Sequence, residues 1–331
     1  DCSWSRGLGD VYKRQAKRSI NVIHWINKIL DKREKMHLRL VKGAYWDYEI
    51  KHAQVFGYED YPVYSKKSLT DISFLLCAKE ILKNEKIYAK FATHNAHTIS
   101  SVHQLGQGKD YEFQRLYGMG ELLYQSAEKV LNLEKKPSVY APIGSYKDLL
   151  PYLVRRLLEN GANSSFINRL LDPETDANWL AENPAIRIEK EKIDIPLPKN
   201  IFTERKNSSG FDLSENSNLE NLEKSISAHK KNKINAESIY VNRDEKEKVG
   251  QKVYSIANNE EIGTAIFDDP TNVKSALENF ASEKWSKYSV QERSQILIKI
   301  SDDIEKDPSE LIFYLLNEAG KTIQNLSLIH I

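Results

Sequence analysis

The chain has 331 residues, 48 Lys and Arg against 47 Asp and Glu, a net charge of +1 and 40% hydrophobic residues. That length and apolar content suit about two domains with buried cores, and so even a balance carries no electrostatic footprint for nucleic acid. Two cysteines, Cys2 and Cys77, make neither a disulfide framework nor a zinc site, and no apolar run reaches the roughly eighteen residues of a membrane span.

Residues 1–15, closing on Asp10-Val-Tyr-Lys-Arg-Gln15, fit no periodic element and are expected to be a non-native end. The first strand signal is Leu38, Leu40 and Val41, bounded by Gly43. Arg39 and Lys42 are awkward inside it unless they meet something anionic near its end. Ile87 to Asn95, Tyr111 to Gly118 and Ser138 to Gly144 repeat the plan of a short strand ending in polar side chains. Helical spacing follows each: Lys67 to Leu82, His97 to Leu105, Glu121 to Leu131 and Tyr146 to Asn160. Such alternation predicts consecutive parallel strands with outer helices over residues 36–160, an incomplete β/α barrel. Polar residues gathered at strand ends are the layout of a barrel active site.

The helix over Tyr146 to Asn160 is the most informative. Leu149, Leu150, Leu153, Val154, Leu157 and Leu158 form one stripe, while Tyr152, Arg155, Arg156 and Glu159 share the other side. Two readings stand there: a solvated face with an Arg155/Glu159 ion pair, or a paired guanidinium clamp for a carboxylate. Pro151 requires the helix to start near Leu150 or after a short turn, with Ser145 and Asp148 as a weak cap and Gly161 as the stop. Elsewhere His94 could serve the backbone alone, Tyr140 could be strand core, and Tyr45 and Trp46 could be packing residues. No acidic residue stands at ligand spacing from His94 and His97, so no metal is expected.

Beyond Asp172 the composition shifts. Residues 186–210 read as a linker, ending near Asn207-Ser-Ser-Gly210. Then come a weak helix over Asn218 to Lys230 and strands over Ser238 to Val241 and Thr264 to Phe267. Helical periodicity returns over Val273 to Phe280 and Val290 to Leu316, with Ser289 and Glu292 as a capping box. Gly320-Lys-Thr322 is not a phosphate loop, because Leu315 stands where the earlier glycine belongs. Residues 327–331 are expected to be a second non-native end, and the chain a piece of a longer gene cut at both ends.

Together RLVKGAYWD, ATHN, EFQRLYGMGE, VYAPIG and YLVRRLLENGANSSF resemble the proline dehydrogenase barrel of the bifunctional proline utilization A flavoenzymes, over residues 16–185. Ser282 to Leu297 and Asn317 to Thr322 resemble the opening of the aldehyde dehydrogenase fold, over residues 211–326, and Arg205 to Leu213 resembles the family's junction. The fold implied is α/β: the C-terminal part of a TIM-like β/α barrel followed by the start of an aldehyde dehydrogenase domain.

The resemblance implies FAD-dependent oxidation of L-proline to Δ1-pyrroline-5-carboxylate. Arg155 and Arg156 would hold the proline carboxylate, and Tyr140, Tyr152 and Leu116 would pack around its ring. Arg39, Lys42, Gly43, Tyr45, Trp46, Thr93, His94, Asn95 and Glu159 would lie against the FAD. Lys42 near the ring would favour negative charge on it once reduced. The parent protein would also oxidise glutamate semialdehyde with NAD, at a site beyond these residues. A membrane quinone would accept the electrons, and a cytoplasmic parent, peripheral at the inner membrane, could be a homo-oligomer. The alternatives are a monofunctional proline dehydrogenase and a non-enzymatic module that binds an anion through Arg155 and Arg156.

Overall fold

The computed structural model describes residues 11–12, 17–30, 35–42, 46–161, 178, 181–191, 195–237, 249–279 and 283–329. They divide into two compact units, residues 1–53 with 60–197 and residues 54–59 with 198–331.

The first unit is built on a five-stranded sheet in chain order: β1 (Val11–Tyr12), β2 (Met36–Val41), β3 (Ile87–Ala92), β4 (Tyr111–Leu116) and β5 (Ser138–Tyr140). Every neighbouring pair is parallel. Parallel neighbours need a crossover, and helices supply it: α1 (Ser19–Leu30), α2 (Trp46–Val55), α3 (Lys67–Lys83), α4 (Ala96–Leu105) and α5 (Glu121–Leu131), with α6 (Tyr146–Gly161) after β5. The expected parallel strand-helix succession over 36–160 is present. Val11–Tyr12 pairs with Arg39 and Leu40, so two residues of the segment set aside as non-native take part in this sheet. Helix α1 is additional to the expected elements, and Ile23, Ile26 and Leu30 mark its buried side.

Strand alternation places the core. Leu38 and Leu40, then Ile87, Ala89 and Phe91, then Phe113 turn to the helices and are buried. They meet Ile23, Ile26 and Leu30 of α1, Phe74, Cys77, Ala78 and Ile81 of α3, Ile99 and Val102 of α4, and Tyr124 and Ala127 of α5. Phe91, fully buried, sits at the centre, with ring centroids 6.4 Å from Phe74, 6.4 Å from Phe113 and 5.8 Å from Tyr111.

Two expectations for this unit change. Helix α6 starts at Tyr146 and carries Pro151 inside it, so neither expected accommodation of the proline applies. The stretch taken as linker begins in an ordered helix, α7 (Pro184–Lys190), capped by Asn183, whose side chain accepts from Ala185 N. It docks on the start of α3: the Glu191 carboxylate accepts from Ser68 N and Oγ at 3.1 and 2.9 Å, and Lys66 Nζ donates to Ile188 O at 2.9 Å.

The second unit has a three-stranded sheet, order β6 (Ile234–Glu237), β8 (Glu261–Phe267), β7 (Val249–Tyr254), parallel between β6 and β8 and antiparallel between β7 and β8. Helix α8 (Asn216–Ala228) contributes Leu222 to a small core with Ile312 and Leu326. Strand β6 precedes the strand expected over Ser238 to Val241, and residues 238–248 lie outside the described set. The long helix expected over 290–316 is two, Val290–Lys306 and Ser309–Asn317, because Pro308 cannot continue the ladder of the first. Its capping box is present: Ser289 N donates to Glu292 Oε2 at 2.7 Å and Glu292 N to Ser289 Oγ at 3.2 Å. The closing helix runs over Ile323–Ile329, into the second segment set aside as non-native.

Candidate active site

The strand face opposite the helices carries the chemistry. Register partners in parallel strands share a face. Arg39, Lys90 and Glu112 therefore form one row, Val41, Ala92, Gln114 and Ser138 the next, and Leu116 and Tyr140 the last toward the strand ends. Lys90 and Gln114 are buried, at 8% and 4% exposure. Burying such groups requires partners, and Glu112 supplies them. Its carboxylate accepts from Gln114 Nε2 at 2.7 Å and Tyr88 OH at 3.2 Å, and pairs with Lys90 Nζ at 3.4 Å. Burial pushes the Glu112 carboxyl up, but the donors from Gln114 and Lys90 prevail and hold it below the usual range.

The Arg39 guanidinium lies over the Tyr140 ring, 4.9 Å from its centroid, a cation–π contact. Tyr152 OH donates to Tyr140 OH at 3.4 Å. Arg39 and the two tyrosines expected at the substrate thus come together at the mouth of the sheet. Arg39 Nε and Gln114 Oε1 are buried with no hydrogen-bond partner among the described residues.

At the ends of β3 and β4 the expected residues are braced by local bonds. Tyr124 OH donates to Thr93 O at 2.8 Å, Asn95 N to Thr93 Oγ1 at 3.2 Å, and Asn95 Oδ1 caps α4 by accepting from Thr98 N at 3.0 Å. Leu116 N donates to His94 Nε2 at 3.4 Å, which places the imidazole proton on Nδ1. Burial and the nearby Arg115 push the His94 pKa down, so the ring is neutral. His94 thereby ties β3 to the backbone of Leu116. Gly120 makes room for it: φ is +67° there, and a Cβ would stand 2.7 Å from His94 Cδ2.

Lys42, expected against the FAD, is anchored by two side chains. Its ammonium donates to Asp71 Oδ1 at 2.6 Å and Thr98 Oγ1 at 3.0 Å, on the helix side. Burial pushes its pKa down to about 8, because one carboxylate does not offset desolvation plus the repulsion of Lys67 and Arg187. Asp71 gathers three cations, with Lys67 at 3.7 Å and Arg187 at 3.8 Å; burial opposes its ionisation, but those cations hold its pKa low. Trp46 Nε1 donates to Tyr64 O at 3.0 Å. Gly43 and Tyr45, and the side chains of Arg155, Arg156 and Glu159, lie outside the described residues. Sequence reasoning missed Lys90, Glu112, Gln114 and Asp71. The first three announce themselves by alternation, a polar residue at every second position opposite Ala89, Phe91 and Phe113. Among the described residues no group of three or more His, Cys, Asp or Glu side chains could hold a metal ion.

Residues 3–169, just over half of the chain, match the family model for proline dehydrogenase. The chain belongs to the proline dehydrogenase family. Its later part, residues 240–329, matches the model of the aldehyde dehydrogenase family. The bifunctional protein PutA of Salmonella typhimurium is 37% identical over 341 residues, covering 96% of this chain and 26% of that protein. PutA of Rhizobium meliloti is 40% identical over 239 residues, covering 68% and 19% respectively. A solved bifunctional proline utilization A structure superposes with a TM-score of 0.73 at 33% identity, over 98% of this chain and 31% of that one. One from Bradyrhizobium japonicum gives 0.72 at 32% identity, over 95% and 30%. The chain thus spans about a quarter of the length of the curated relatives it matches most fully. The proline dehydrogenase match begins inside residues 1–15, as the pairing of Val11 and Tyr12 does.

Proposed function

We propose that this chain carries part of the proline-oxidising half of a bifunctional proline-catabolic flavoenzyme, converting L-proline to Δ1-pyrroline-5-carboxylate with FAD. The observation that carries the reading is the order of the two matches, proline dehydrogenase over 3–169 and then aldehyde dehydrogenase over 240–329. A flavin fits the described face on its own terms. Arg39 offers a buried N–H and Gln114 a buried acceptor, neither with a protein partner among the described residues, and both stand on the face that holds Tyr140.

A bound flavin would supply the hydride acceptor for proline oxidation. The protein has only to bind, orient and tune. Arg155 and Arg156 would clamp the proline carboxylate by paired hydrogen bonds. Tyr140, Tyr152 and Leu116 would close on the ring, so that one carbon is presented in one orientation. Neutral His94 would hold the Leu116 backbone in place rather than carry a proton. Arg39, with Thr93, Asn95, Gly43, Tyr45, Trp46 and Glu159, would line the flavin, and Lys42 would shape the end of β2 from its pair with Asp71. The longer protein would pass glutamate semialdehyde to an NAD-dependent second site, on the way to glutamate. A membrane quinone as electron acceptor, a cytoplasmic protein peripheral at the inner membrane and a homo-oligomer are further parts of this proposal.

The test is direct. The 331-residue chain, purified and supplied with FAD, should hold the flavin and reduce an artificial dye with L-proline but not with D-proline. A chain that binds FAD yet leaves it oxidised under saturating proline would refute the activity assigned to these residues.

A further inference from the structure

Gln114 is 96% buried, since it retains 4% exposure, and half of its amide has no explained role. The orientation of that amide follows from chemistry. A carboxylate only accepts, so the group 2.7 Å from Glu112 must be the NH2. The carbonyl oxygen is thereby turned away, and it has no partner among the described residues. The residues beside it in the same row cannot supply one. Val41 and Ala92 have no side-chain donor, and the Ser138 side chain is hydrogen-bonded to Glu112. An acceptor left bare in a buried polar face is costly unless a ligand completes it. Gln114 stands one row deeper than Leu116 and Tyr140, by about 7 Å at the usual strand rise. Those two residues are the ones assigned to the proline ring, so the missing donor lies below the substrate. Arg39 Nε, the bare donor, is on the same face one row deeper still.

We infer that Gln114 Oε1 accepts a hydrogen bond from a ring N–H of the flavin, with Glu112 setting the amide the right way round. The inference rests on the flavin reading above and adds a contact that the sequence motifs did not identify. Glu112 is a positioning residue in this arrangement: it touches the amide, not the cofactor.

The experiment compares FAD, N3-methyl-FAD and 5-deaza-FAD on the wild-type chain and on Gln114→Leu and Glu112→Gln, by fluorescence titration and by midpoint potential. If the donor is the ring imide, wild type prefers FAD over the N3-methyl analogue by about five- to tenfold, the worth of one hydrogen bond. Gln114→Leu abolishes that preference, and Glu112→Gln, which releases the amide to turn, narrows it. If the donor is the N–H that appears only on reduction, oxidised FAD binds all variants alike. The potential of Gln114→Leu then falls below wild type, while 5-deaza-FAD, which lacks that N–H, shows no Gln114 dependence. Either pattern supports the contact. It is overturned if Gln114→Leu binds FAD and the analogues as wild type does and titrates at the same potential, or if its only change is a raised KM for proline. Wild type that fails to bind FAD removes the functional reading and this inference together. Should Gln114→Leu not fold by circular dichroism, the analogue comparison on wild type and Glu112→Gln decides alone.

Discussion

Asp71→Asn is the sharpest probe of the buried charges behind β2. Lys42 lies 2.6 Å from Asp71, with side-chain exposures of 15% and 6%. At an effective dielectric of about 20, attraction at that distance is worth about 6 kcal/mol before desolvation is counted. Desolvation is already the larger influence on Lys42, whose pKa falls to about 8 even with the carboxylate present. Holding it charged at pH 7 therefore costs about 3 kcal/mol relative to an ordinary lysine. Removing one partner of a buried pair costs about 3–5 kcal/mol. Asparagine keeps an acceptor for the ammonium, so the loss at pH 7 should sit near about 3 kcal/mol.

The pH dependence follows from the sign of the shift. Between about pH 8 and the ordinary lysine value near 10.4, the unfolded chain binds the proton that folded Lys42 has released. Stability from this group therefore rises with pH across that window. In Asp71→Asn the Lys42 pKa drops further and the ammonium neutralises at lower pH. With the wild-type pKa at about 8, that neutralisation can account for at most about 1.4 kcal/mol of the difference, so the gap between variant and wild type should shrink by about 1 kcal/mol from pH 7 to pH 9.5. Urea unfolding followed by circular dichroism at the two pH values measures it. A loss under about 1 kcal/mol at pH 7, or an equal loss at both pH values, would refute the account of Lys42 as a desolvated cation held by Asp71.

Three further outcomes are expected. Gly120→Ala should lower stability by about 2 kcal/mol, through a non-glycine residue at φ +67° and a Cβ 2.7 Å from His94 Cδ2; a melting temperature within 1 °C or so of wild type would count against it. Tyr124→Phe removes the donor to Thr93 O from a buried hydroxyl and should cost about 1–2 kcal/mol by urea titration, with no change in secondary structure. In the FAD-loaded chain, Arg155→Met and Arg156→Met should each raise the KM for proline at least about tenfold with flavin content unchanged, whereas Arg39→Met should lose flavin. The reverse pattern would exchange the substrate and cofactor assignments.

The fold was legible where two periodicities met. Strands such as Ile87 to Ala92 put Ile87, Ala89 and Phe91 on the helix side and Tyr88 and Lys90 on the other, and helices with three-to-four spacing follow. Legibility failed where a local rule was overlooked. Pro308 divides one long periodic stretch into two helices, though the residue before a proline is already biased away from helix. Strand β7 has weak alternation and residues 250–252 exposed, so little in Val249 to Tyr254 distinguishes it from a loop. Residues 186–191 look like a linker by composition. Their docking on α3 depends on Ser68 and Lys66, more than a hundred residues earlier, a pairing no local window contains.

The site divides the same way. Arg39 and Tyr140 could be nominated from motifs, and three successive parallel pairings put both on one face, where the long Arg39 side chain reaches the Tyr140 ring. Lys42 could be nominated too, but a lysine at a strand end can turn to either side of the sheet. What decides is an acid on α3, Asp71, whose depth among apolar neighbours is invisible to a reading that treats charged helix positions as solvated. Glu112 and Gln114 are the converse case. Their alternation with buried Phe113 was in the sequence, yet a polar strand face usually means water. Here that face buries Lys90 and Gln114, so its polar atoms require partners, and those left without one among the described residues, Arg39 Nε and Gln114 Oε1 among them, therefore say more about what binds there than the atoms already satisfied.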